Sequence, residues 1–134
     1  MSDFTITAHV YLGENGRQAN LDFVDEAPGM LVRVEKADDR FLEDLAWALR
    51  QCKRLGASAP EYHVTMPKGS ALYNGIGEDA EEYGDLSLDV YGARDGVVLW
   101  FSSPDADDSA CAEMRIHLTG KEAAKQAKVL EACL

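Results

Sequence analysis

The sequence predicts an α+β fold: a two-layer domain in which a mostly antiparallel sheet of six to seven strands carries two helices on one face. Three observations lead there. Five segments alternate apolar and polar residues with period two, two others switch to helical period, and glycine-rich joints between them are short enough for antiparallel neighbours. The element order reads βββα-β-βββα across a single domain, residues 1–134.

The first strand runs from 4 to 12, with Phe4, Ile6, Ala8, Val10 and Leu12 on one side and Thr5, Thr7, His9 and Tyr11 on the other. Asn15-Gly16 follows, a hairpin signal because both residues tolerate positive φ. Ala19, Leu21 and Phe23 mark a second strand and Met30, Val32 and Val34 a third. The period then changes. Asp38 or Asp39 caps a helix that Gly56 ends, and Phe41, Leu42, Leu45, Ala48, Leu49, Cys52 and Leu55 share its apolar face.

A short strand at 61–66 lies between Pro60 and Pro67, and residues 67–85 then show no period, as expected of a long acidic loop. Residues 86–91 alternate again. The run Val97–Phe101 is apolar on both faces, which predicts a central strand. Ala112, Met114, Ile116 and Leu118 alternate in a last strand. Thr119 and Glu122 form a capping box for a final helix with a stripe of Ala123, Ala127, Leu130 and Leu134. The inward positions of the two halves stay in phase at a shift of 80 residues, which suggests a duplicated arrangement.

Hydrophobic residues at 46% and charged residues at 28% fit a folded domain rather than a disordered chain. No apolar run approaches the ~18 residues of a membrane span. The N-terminus lacks the basic and apolar regions of a signal peptide. Cys52, Cys111 and Cys133 are odd in number and widely spaced, so unpaired thiols in a cytoplasmic setting are expected. A net charge of −11 argues against direct contact with nucleic acid or an anionic membrane.

Several motifs fail on inspection. Gly75-x-Gly77 has Ala80 where a dinucleotide loop needs a third glycine, and its acidic neighbours would repel a pyrophosphate. Asp105, Asp107 and Ser109 imitate a calcium loop, but Ala110 and Ile116 occupy its glycine and glutamate positions. His9, His63 and His117 have no Cys or His at metal-ligand spacing. No cofactor or metal is expected.

Two features remain. Residues 61–118 hold twelve carboxylates against three basic residues, −9 of the total charge. If 86–91 and 97–101 form a hairpin, Glu78, Asp79, Glu81, Glu82 and Asp85 enter it where Asp105, Asp107 and Asp108 leave. Eight like charges then converge, a repulsion that a basic partner relieves. Tyr73 and Tyr83 lie among them and suit stacking against arginine. The other feature is Trp47, on the polar side of the first helix beside Glu43 and Arg54, either an interface anchor or covered by the long loop.

These features favour a small, acidic, non-enzymatic protein-binding protein, a monomer or homodimer. It would set Glu78, Asp79, Glu81, Glu82, Tyr83, Asp85, Asp105, Asp107, Asp108 and Trp47 against a basic partner. Immunity proteins and phage inhibitors of nucleic-acid enzymes share this character at the level of class. The alternatives are an acidic chaperone-like dimer that holds a partner polypeptide, and an enzyme with its site under the 67–85 loop using His63, Tyr73 or a carboxylate as proton carrier.

Overall fold

A computed structural model describes residues 4–13, 16–25, 29–75, 81–104 and 113–134. Nine strands and two α-helices are present among them. They are β1 (Phe4–Gly13), β2 (Gly16–Asp25), β3 (Met30–Ala37), α1 (Asp39–Leu55), β4 (Tyr62–Val64), β5 (Ala71–Asn74), β6 (Glu81–Tyr83), β7 (Ser87–Ala93), β8 (Gly96–Ser102), β9 (Glu113–Leu118) and α2 (Gly120–Ala132). The fold is α+β and antiparallel throughout, as the alternation predicts. The strands divide into two sheets rather than one, with orders β1-β2-β3-β5-β6 and β4-β7-β8-β9.

The stretch 67–85, expected to be a loop, contains β5 and β6. β5 pairs with β3, setting Leu31 opposite Tyr73 and Val32 opposite Leu72, and β6 continues the sheet from β5. The two meanders therefore exchange strands: β4 joins the second, while β5 and β6 join the first. The 80-residue shift is visible in the backbone. Gly13 pairs with Gly16 and Ala93 with Gly96, two equivalent two-residue connections.

The helices form where their caps and stripes place them. Asp38 Oδ1 accepts from the Phe41 N–H at 2.9 Å, satisfying a donor that the first turn leaves free. Gly56, at φ 59°, ends α1 in a conformation suited to glycine. Phe41, Leu42, Leu45, Ala48, Leu49 and Cys52 are buried along it, whereas Leu55 is half-buried. At α2, Thr119 and Glu122 complete the capping box in both directions. Ala123, Ala127 and Leu130 are buried, but Leu134 lies beyond the helix and is exposed, Cys133 being buried instead.

Both sheets and both helices share one core, and Phe23 of β2 meets Phe101 of β8 across it at 5.1 Å between ring centroids. β7 passes the end of α1 so closely that a Cβ on Gly92 would lie 1.9 Å from the Gly56 carbonyl oxygen. The inward row of β1 departs from expectation. Ile6 is buried and Ala8 half-buried, but Val10 is 38% and Leu12 86% exposed. Alternation fixes which way a side chain faces; whether a helix reaches that far depends on the other layer.

Candidate functional site

The β7–β8 hairpin expected from the sequence forms with Ser87 opposite Ser102. Just outside this pair, the Ser103 hydroxyl donates to the Gly84 carbonyl. The chain entering the hairpin is thus tied to the chain leaving it. Asp85 is exposed on the entering side, at φ 50°, a left-handed conformation that Asp tolerates better than most residues. Pro104 is the last described residue on the leaving side. Glu78, Asp79, Asp105, Asp107 and Asp108 lie outside the described residues.

Glu81 and Glu82 belong to β6, the last strand of the five-stranded sheet. Glu82 is exposed and directly opposite Tyr73. Tyr73 sits on the outer face, where burial and then the Glu82 charge push its phenol above the ordinary value. Arg33 is nearby and pairs with Asp22, its cross-strand neighbour, at 3.0 Å. Tyr83 points the other way, half-buried against the core beside Leu72. Of the two loop tyrosines, Tyr73 therefore shares a face with an acidic side chain, while Tyr83 has a packing role.

Trp47 is 53% exposed. Its ring meets Tyr62 of β4 edge-on at 5.0 Å, a favourable aromatic geometry that steadies the indole without covering it. The histidines are all exposed. His63 faces outward, its Nδ1 3.1 Å from Asp89. The register then carries this row across the four-stranded sheet: His63 opposite Asp89, Asp89 opposite Trp100, Trp100 opposite Arg115. The Arg115 guanidinium lies over the Trp100 ring at 4.7 Å. Reading the strands separately misses this row, because pairing register is set by tertiary structure.

Among the described residues, no three His, Cys, Asp or Glu side chains are grouped to hold a metal ion. None of the described helices is long and apolar enough to cross a membrane. Shallow clefts are found among the described residues. Asp38, Phe41, Asp44 and Met66 line one, and Asp95, Val98, His117 and Thr119 line another.

Cys52 is buried on the apolar face of α1, and Cys133 is buried just past the end of α2. Burial pushes the Cys52 thiol from 9.0 up to about 11. The thiolate is the reactive form, so Cys52 should resist an aromatic disulfide reagent at neutral pH until the protein unfolds. The same shift fixes a pH dependence. Because the folded thiol keeps its proton longer than the unfolded one, this contribution is complete below about pH 9 and is lost as pH rises toward 11. Urea midpoints measured across that interval should fall for wild type and fall less for Cys52→Ala.

No protein-family model, curated protein or solved structure matches the chain.

Proposed function

We propose that this chain is a non-enzymatic binding protein that sets its acidic end against a basic surface of another protein, and thereby inhibits or neutralises it. A nucleic-acid-acting enzyme is the fitting target class, because carboxylates arranged on a protein surface compete for the same cationic site as phosphates. The observation that carries this reading is the Ser103–Gly84 hydrogen bond beside the Ser87–Ser102 pair. It ties together the points at which the acidic segments 78–85 and 105–108 meet the hairpin. The alternating signs of a solvated surface are missing from both segments, which contain eight carboxylates and no Lys or Arg. Tyr73 beside Glu82 adds an aromatic surface of the kind that receives arginine.

The test replaces Glu78, Asp79, Glu81, Glu82, Asp105, Asp107 and Asp108 by Ser and compares this variant with wild type. A basic protein should be captured by wild type from cell extract and lost by the variant. With the captured protein purified, association at low salt should slow by about tenfold or more in the variant, and wild-type association should slow as salt is added. Equal capture and equal rates would remove the acidic end from the binding surface.

A further inference from the structure

We infer that β1 is a self-association edge, at which a second copy of this chain adds its own β1 in antiparallel register. The argument begins with how the four outer strands differ. β4 and β6 are three residues long, and β6 carries Glu81 and Glu82. β9 carries Glu113 and Arg115. Short length and charge are the usual means of protecting an open edge from pairing. β1 has neither protection. It is ten residues long, with β2 as its one strand neighbour among the described residues. It contains no Asp, Glu, Lys, Arg or Pro, and 4–13 is the longest stretch of the chain without an acidic or basic residue, His taken as neutral.

That neutrality also identifies the occupant. Two copies each bearing −11 repel one another over most of their surface, so they approach most easily along an uncharged strip. A basic partner would gain nothing from β1, which offers it no carboxylate. The exposed side chains fit the same occupant. Val10 and Leu12 extend the core-facing row past the helices' cover. A two-fold axis at Tyr11 sets Val10 of one copy opposite Leu12 of the other, twice over. Each apolar side chain then gains a cross-strand partner on the inner face while the backbone groups of the two edges pair. The two five-stranded sheets become one sheet of ten.

Sedimentation equilibrium tests this directly. Wild type should form a dimer that tightens with added salt as the repulsion is screened, the opposite of the salt response expected for a basic partner. Leu12→Lys and Val10→Lys should each weaken the dimer by about tenfold or more, since each removes an apolar contact and adds a charge. Both positions are exposed, so circular dichroism should report an unchanged monomer fold. In a Cys111→Ser background, Tyr11→Cys should cross-link to itself on mild oxidation much faster than His9→Cys, which this register places opposite Gly13. A wild-type monomer at every concentration and salt, or a dimer indifferent to both lysine variants, would overturn the inference.

Discussion

Replacing Phe101 with alanine is expected to cost about 3–5 kcal/mol of folding stability, read as a lower urea midpoint. Phe101 is fully buried on the central strand β8 and packs against Phe23 of the other sheet. Truncation removes the transfer free energy of the ring and leaves a cavity whose walls belong to two sheets and cannot both collapse into it. A domain of this size has only about 5–15 kcal/mol in total, so the loss is a large fraction. A double-mutant cycle with Phe23→Leu should return a coupling of about 0.5–1.5 kcal/mol for the tilted ring pair. Coupling near zero would mean that the sheets are joined by area alone.

The second large effect should come from a single methyl group. In Gly92→Ala the new Cβ would sit 1.9 Å from the Gly56 carbonyl oxygen and 2.6 Å from its carbon, both backbone atoms at the end of α1. A flexible side chain would swing away, but a helix terminus fixed by its own cap does not. Either β7 or α1 must shift, at a cost of about 1–3 kcal/mol or more. Gly120→Ala is the matched comparison. Its Cβ would meet only the Lys53 side chain, at 3.5 Å, at the first position of α2. That variant should be neutral or up to about 1 kcal/mol more stable, because alanine is the better helix former. Thermal melts of the two variants should therefore move apart. Equal midpoints would mean that the α1–β7 approach yields easily.

Several elements were legible because local chemistry and long-range packing agree. α1 has a capping aspartate, an apolar stripe and a terminal glycine in succession, and each is used as expected. The helical period also places Trp47 off the buried face, where it remains half exposed. β5 and β6 were hidden for the opposite reason. Residues 71–74 are too few to establish a period, and Glu81 and Glu82 have poor strand propensity. The extended form of β5 depends on pairing with β3, far earlier in the chain, and that of β6 on pairing with β5, and periodicity reports neither. Division into two sheets is likewise a matter of pairing, not pattern. For the acidic end, the hairpin was legible from its two strands, whereas the Ser103–Gly84 tie was not, because its partners are 19 residues apart. The opposed directions of Tyr73 and Tyr83 follow from β6, and so were hidden with it.

The exchange of strands between the meanders has a consequence for synthesis of the chain. The first sheet is incomplete until residue 83 has been made, and the second takes its first strand from residues 62–64. Neither half holds a finished sheet, so a nascent chain that has released only its first helix presents β3 with an open edge. Premature termination near the midpoint should leave fragments that rely on chaperones or proteolysis rather than a shorter working domain. Mixing two separately expressed halves, in contrast, offers each the strands it lacks.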